Sequence, residues 1–471
     1  MTGPGPGSPS TSYDPGSFRD PSSRVWREGN RVLRGLDAAA AAGFSSLSTT
    51  RFFQEACEAG DIVTTEVAQA SAPDGSDWAL VLEHGAVPVV TYPHEWSFSM
   101  LQDAARLTLR LVRTAIDEGI TTKDATPYNV QFLGPRPTFI DIGSFEPYRA
   151  GEPWWGYRQF CQLFLYPLMF TAYKGLPHQP WMRGAIDGIT PQQAQRVLQG
   201  RRRGSRGLFA HVWLHAKADK RFTGGSAATV EGLRRAGYDT RIYIGLIERL
   251  YKLVDGLRWR ASGSAWDGYS ERRHYTPSEI AAKSRFVQQV VGRRRRPQVW
   301  DVGANDGMFS EIAAGNADVV LAMDADGHVV DRLYRRLRGD GVANVVPLVM
   351  NFADPTPGMG WRGMERPAIG ERSSPDLVLA LAVVHHLALT HNVPTEAILD
   401  FLADLGAEVV LEVPTESDPM VTELKGNKRG GTHDAYTLAA IEAQAGSRFV
   451  VRQREELAGG TRVLFHLAPG G

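Results

Sequence analysis

Two adjacent histidines, His385 and His386, close an apolar run that leaves Asp376 as Leu-Val-Leu-Ala380-Leu381-Ala-Val-Val. An imidazole titrates at about pH 6.5, so either one is a candidate base for an acceptor that sheds a proton as it reacts. The other reading is that one or both cap the helix that follows, or support a neighbouring pocket. Glu412 ends a later apolar run. It could orient an acceptor hydroxyl or ammonium, or bond to the following loop. His433 and Asp434 lie beside Gly430 and Gly431, in a stretch that folds over an acceptor or is simply a polar loop.

A second set of residues is suited to holding a ligand. Asp301-Val-Gly303-Ala304-Asn305-Asp-Gly307 follows an apolar strand and precedes a helix from Met308. Glycines let the chain turn sharply and bring its backbone against a ligand. The spacing is not the phosphate-binding G-x-G-x-x-G, because Asn305 fills the middle glycine and the last interval is one residue short. A ligand without a pyrophosphate, such as adenosylmethionine, suits that loop. Asp324 follows 23 residues after Asp301 (324 − 301), in Met323-Asp324-Ala325-Asp326. A carboxylate there can accept both hydroxyls of a ribose, with Asp326 as the second candidate. Asn351-Phe352-Ala-Asp354 then ends the third apolar run with polar groups.

These residues need a sheet to align them. Short β-branched runs at 298–302, 317–323, 345–350, 377–381 and 408–412 alternate with helical spacing at 329–337 and 395–405. That alternation predicts a parallel α/β sheet with crossover helices. Runs at 449–454 and 461–467, joined near Gly459-Gly460, predict a closing antiparallel hairpin. Thr276-Pro277-Ser278-Glu279 is a helix start with the elements of a capping box, just after Trp266, Tyr269 and Tyr275. The helix is either a lid on the donor site or a linker packed on the sheet.

From about Pro297 to its end the chain resembles the class I S-adenosylmethionine-dependent methyltransferases, whose first motif is acid-x-Gly-x-Gly-x-Gly. The resemblance implies a seven-stranded Rossmann-like sheet and S-adenosylmethionine as cofactor. It implies that Asp301, Gly303, Asn305 and Gly307 line the methionine end, that Asp324 meets the ribose, that Asn351 and Phe352, or Asp354 instead, meet the adenine, and that Ala304, Ala325 and Leu381 also border the cofactor. It places the base at His386 or His385. No Asn-Pro-Pro-Tyr-like loop follows the fourth strand, which argues against adenine or glutamine amide nitrogen as acceptor. Cys57 and Cys161 both precede this region, which removes the thiol that cytosine C5 chemistry needs.

The N-terminal half follows another logic. A strand-like run ends at His84, a helical pattern covers 99–118, and Lys123-Asp124-Ala-Thr-Pro-Tyr-Asn129 follows. Asp141-Ile-Gly143 comes 12 residues after Asn129 (141 − 129). This resembles the catalytic and metal-binding segments of the protein kinase and aminoglycoside phosphotransferase superfamily, which implies an α+β kinase-like domain with Asp124, Asn129 and Asp141 in those roles. No lysine precedes Lys123, and Gly29 and Gly35 are isolated. Arg31 or Arg34 would have to stand in for the phosphate-gripping lysine, a planar fork in place of a point charge. The expectation is a domain inactive as a kinase, its metal site vestigial; the alternative is a chance match in an unrelated helical domain. The aromatic segment Trp154-Trp155-Gly-Tyr157-Arg-Gln-Phe160 leads into an apolar helix, read as core or as the wall of an acceptor pocket. This segment, behind the Asp-Asn-Asp element and ahead of the methyltransferase region, is similar to bacterial methyltransferases of the nodulation-protein NoeA type.

Composition sets the frame. Lys plus Arg equals Asp plus Glu at 52 each, so no global field draws nucleic acid or an anionic membrane. The runs Arg201–Arg203 and Arg293–Arg296 read as solvated linkers. Two cysteines build neither a disulfide framework nor a cysteine metal centre. The expected organisation is an unstructured tail over 1–22, a kinase-like domain over 23–260, a linker and lid helix over 261–296, and a methyltransferase domain over 297–471. The expected activity is methyl transfer to oxygen, less readily nitrogen, of a small or carrier-borne metabolite, in the cytoplasm and in secondary metabolism. No nucleic-acid partner, membrane insertion or bound metal is expected; a homodimer is compatible. The rivals are a bifunctional protein that also transfers phosphate and a binding protein with a vestigial methyltransferase fold.

Overall fold

The computed structural model describes residues 12–199, 209–215, 239–259, 275–426 and 433–470. Arg201–Arg203, Trp266, Tyr269, Gly430 and Gly431 lie outside the described residues. The chain forms two compact units: Met1–Ser262 with Met359–Arg366, and Gly263–Gly358 with Pro367–Gly471.

In the first unit β1 (Ser23–Glu28), β2 (Arg31–Leu36), β3 (Thr65–Ala68) and β4 (Leu80–His84) make an antiparallel sheet in the order β1-β2-β4-β3. Helices Ala38–Ser48 and Arg51–Glu58 fill the β2–β3 connection, capped by Asp37 and Thr50 side chains. The helical pattern at 99–118 is helix Phe98–Ala115 with a 3-10 turn, Ile116–Glu118, ended by Gly119 in the left-handed region. Then β5 (Ile120–Thr122) pairs with β8 (Phe145–Pro147), and β6 (Val130–Leu133) with β7 (Arg136–Phe139). Trp154 and Phe160 of the aromatic segment are buried core residues, whereas Trp155 is exposed. The helix beyond them widens into a π turn, Cys161–Leu165, before Tyr166–Lys174. That widening accommodates Pro167, which has no N–H to donate.

Tyr13 bridges to Trp26, sets its ring edge-on to Trp26 and Trp78, and donates to Asp74. Met359–Arg366 lies with the first unit: Arg19 donates to both Glu365 oxygens at 2.7 and 2.8 Å, and the Arg366 guanidinium sits 4.1 Å from the Tyr128 ring centre.

Burial in this unit has a pH consequence. It pushes His84 down to about 3, and His178 and His211 to about 4, while it lifts Asp124 to about 6. Between pH 6.5 and 4 the unfolded chain protonates the three imidazoles and the folded chain does not; Asp124 and Glu146, both lifted by burial, work the other way. Unfolding near pH 5 then takes up one to two protons on balance, so stability should fall by roughly 1–3 kcal/mol per pH unit on acidification through this window. Hydrogen exchange read by mass spectrometry at pH 7 and 5 checks this, with faster global opening in peptides of this unit at pH 5 as the expected result.

The second unit is a seven-stranded sheet of β9 (Arg296–Val302), β10 (Ala317–Asp324), β11 (Val345–Val349), β12 (Leu377–Ala380), β13 (Glu408–Pro414), β14 (Phe449–Glu456) and β15 (Arg462–Pro469). The order is β11-β10-β9-β12-β13-β15-β14, with β15 antiparallel to both neighbours and the other pairs parallel. Numbered within the unit this is 3-2-1-4-5-7-6, a seven-stranded sheet closed by an antiparallel hairpin, as the run pattern predicts. Crossover helices Gly327–Gly339 and Thr395–Asp404 match the apolar spacing read in the sequence. Helix Pro277–Val291 opens with the Thr276–Glu279 capping box and buries Phe286, Val287 and Val290 in the core with Val299, Val320 and Leu379.

The basic run before β9 is only partly solvated. Arg296 is fully buried as the first residue of a central strand. It bonds to Asp376 and Glu408, each at 3.0 Å, and Glu408 also meets His466 at 2.9 Å. A charge is tolerated there because each N–H it buries toward these carboxylates is matched by a formal negative charge. No helix among the described residues is long and apolar enough to cross a membrane.

Candidate functional site

The carboxyl edge of the second unit's sheet gathers most of the residues singled out above. After β9 the chain turns through three left-handed residues within five positions: Gly303 (φ +72°), Asn305 (φ +48°) and Gly307 (φ +81°). Asparagine is among the few side chains that accept this region, which explains how Asn305 replaces a glycine. The glycines are needed for space as well. A Cβ on Gly303 would stand 2.5 Å from Val383 Cγ2, and one on Gly307 2.5 Å from Leu333 Cδ1. The Gly303 and Ala304 N–H groups both reach the Met323 carbonyl, at 2.8 and 3.0 Å, which stitches the turn to the end of β10.

Asp324, at that end, accepts the Asn305 N–H at 3.0 Å on one oxygen and the Asp326 N–H at 2.9 Å on the other. Burial lifts its pKa, and these N–H groups oppose the lift. Asp326 is otherwise engaged: it caps helix Gly327–Gly339 through the His328 and Val329 N–H groups. Asp301 is turned inward. It accepts the Ser310 hydroxyl at 2.5 Å, is almost fully buried, and is raised to about 6 by that burial. Ala325, Asn351 and Asp354 are exposed at the same edge. Asn351 accepts the Ala353 N–H, and Phe352 packs edge-on to Trp300 and Phe401. Leu381 belongs to the core cluster.

The segment after β12 passes beside the glycine turn through Val383. It then presents the two histidines, ring centres 4.1 Å apart. His385 is buried and His386 half-buried. Burial, then the positive charge of Arg462, push His386 down to about 4. It is therefore neutral at pH 7 and able to accept a proton, though a weak base.

Glu412 is fully buried, and its partners are charged. Lys283, from helix Pro277–Val291, meets one oxygen at 2.5 Å. Arg462 meets the other at 3.2 Å and also bonds to Asp418 at 2.8 Å. The Tyr275 hydroxyl donates to Glu412 at 2.6 Å and takes a bond from Arg462. The Lys283 ammonium lies 4.9 Å, and the Arg462 guanidinium 4.4 Å, from the Tyr275 ring centre. Although burial opposes it, the two cations hold Glu412 below the usual carboxylate range. Glu412 thus joins the helix start, β13 and β15. Lys283, Arg462, Asp418 and Ser310 were missed from the sequence. The signal for Lys283 was available: it shares the apolar stripe of its helix with Phe286, Val287 and Val290. His433 and Asp434 lie in a turn ahead of helix Leu438–Gly446.

In the first unit Asp124, Asn129 and Asp141 also converge. Asn129 donates to Asp124 at 2.7 Å, and Ser144 bridges toward Asp124 and Asp141, each at 2.8 Å. Of the two arginines considered, Arg31 pairs with Glu83 and Glu28, and Arg34 pairs with Asp141. Among the described residues no group of three or more His, Cys, Asp or Glu is placed to hold a metal ion.

No protein-family model matches the chain. Among solved structures, the N-methyltransferase NodS from Bradyrhizobium japonicum WM9, in complex with S-adenosyl-l-homocysteine, covers 43% of this chain and 98% of its own at TM-score 0.32 and 10% identity. Magnesium protoporphyrin IX methyltransferase from Synechocystis PCC 6803 covers 43% and 94% at TM-score 0.31 and 16% identity. The fold assignment rests on strand order and not on these scores. The nodulation protein NoeA of Rhizobium meliloti (strain 1021) is 33% identical over 455 residues, 96% of this chain and 94% of that one. With a third of its residues shared along almost the full length of both proteins, this chain belongs to the NoeA family.

Proposed function

We infer that this protein is an S-adenosylmethionine-dependent methyltransferase, acting on oxygen, or secondarily nitrogen, of a small or carrier-borne acceptor. The observation that carries the reading is the carboxyl edge of the 3-2-1-4-5-7-6 sheet. There, three left-handed turn residues and a carboxylate fixed by two backbone N–H groups stand together. These residues fit the donor: Asp324 would take the ribose hydroxyls, and the Gly303–Gly307 turn would follow the methionine end. Asn351 and Phe352 would border the adenine, with Ala304, Ala325 and Leu381 shaping the walls. Asp301, bound to Ser310, supports the turn from beneath. When bound, the cofactor supplies an electrophilic methyl group on a sulfonium.

The chain's own part is positioning and proton handling. His386 is neutral at working pH and takes the proton of an acceptor hydroxyl, while His385 packs behind it. General-base catalysis contributes about 10²–10⁴-fold at best-matched pKa values. A base depressed to about 4 delivers less, so His386→Ala should lower turnover by about tenfold to a hundredfold. The check is transfer of label from methyl-labelled S-adenosylmethionine into a small-molecule bacterial extract. Wild type should label a component that His386→Ala labels slowly, both proteins binding the donor equally. Equal labelling by the two would remove His386 from the reaction.

A further inference from the structure

The kinase-like resemblance implies a divalent cation on Asn129 and Asp141, with Asp124 as the base, and Asp141 is already engaged by a cation of the chain itself. Asp141 accepts Arg34 at 2.9 Å on one oxygen and Ser144 at 2.8 Å on the other. One Asp124 oxygen accepts Asn129 at 2.7 Å and lies 2.8 Å from the Ser144 hydroxyl, whose single proton it shares with Asp141. A magnesium ion needs open oxygens at about 2.0–2.1 Å in near-octahedral array. The cation already present is a guanidinium.

We propose that Arg34 permanently occupies the cation position of this cluster, making the first unit a metal-independent module that grips no nucleotide through it. Arg34 is built in: its side chain is only 11% exposed. Its Nε–H donates to His84 Nε2 at 3.3 Å, so the His84 proton is on Nδ1. That Nδ1–H meets Thr65 Oγ1 at 2.9 Å, and the Thr65 hydroxyl passes its own proton to the Val63 carbonyl at 3.1 Å. Every donor and acceptor in this relay is matched only when His84 is neutral. A third contact, to Ser23 at 3.3 Å, ties the same guanidinium to β1. From outside, Arg366 covers the ring of Tyr128, the residue before Asn129. Arg34 therefore joins β1, β2, β4 and the turn after β7, and Asp141 serves as its counter-charge.

The test is Mn²⁺ binding to the full chain, followed by electron paramagnetic resonance. Circular dichroism confirms folding, and magnesium–ATP is tried in parallel by thermal shift. Wild type should bind neither. Arg34→Ala should bind one Mn²⁺ per chain and melt higher with it, and Arg34→Ala/Asp141→Asn should lose both effects. If Arg34→Ala does not fold, the near-isosteric Arg34→Met takes its place. Mn²⁺ or magnesium–ATP binding to wild type that Asp141→Asn removes would overturn the proposal. So would a folded Arg34 variant that binds no Mn²⁺. None of these results depends on the methyl-donor site.

Discussion

Asp324→Ala is expected to weaken S-adenosylmethionine binding by about two orders of magnitude or more while the second unit stays folded. Two effects add. A carboxylate that accepts both ribose hydroxyls makes two charge-assisted bonds, worth about 1.5–3 kcal/mol each. It also accepts the Asn305 and Asp326 N–H groups, so its removal loosens the left-handed turn that should follow the methionine end. The fold survives because Asp324 stands at the end of its strand, outside the apolar core. Asp324→Asn keeps an acceptor at the same place and should lose less. Calorimetric titration of both variants checks the order wild type, Asn, Ala. Equal affinity in all three would remove Asp324 from the donor site.

Glu412→Ala should have the largest effect on stability, about 3–5 kcal/mol, because it leaves buried cations without their counter-charge. Lys283 loses its ion-pair partner outright, and Arg462 keeps only Asp418. The Tyr275 hydroxyl loses its acceptor, freeing the start of helix Pro277–Val291. The double variant Glu412→Leu/Lys283→Met removes that pair together and should recover a large part of the loss, since breaking a buried pair costs more than replacing it. Urea unfolding reads both. A single variant within about 1 kcal/mol of wild type would show that water reaches the cluster freely.

The sheet was legible because its strands are apolar enough to be buried on both faces and its helices keep apolar spacing. The strand runs at 298–302 and 317–323 each fall inside an observed strand, β9 and β10. The Gly303–Gly307 turn was legible through residue type, since glycine and asparagine are chosen by backbone conformation. What escaped were charges paired across distant segments. Lys283, Glu412 and Arg462 each interrupt an apolar pattern, but their common meeting point exists only once helix, β13 and β15 are placed. Arg296 escaped for the same reason, its partners being 80 and 112 residues away. Spacing suggested an Asp124–Asn129–Asp141 set, and they do meet; that Arg34 would close it depends on β2 facing the turn after β7. The placement of Met359–Arg366 with the first unit had no local signal, because Arg19 and Tyr128 supply its contacts.

Titration of the wild-type chain with S-adenosylmethionine in a calorimeter, repeated with S-adenosylhomocysteine present, decides whether the second unit holds a methyl donor. One saturable site per chain is expected, occupied at micromolar donor and blocked by S-adenosylhomocysteine, with a rise in melting temperature on binding. No heat and no thermal shift at roughly millimolar donor, from protein shown to be folded, would contradict it.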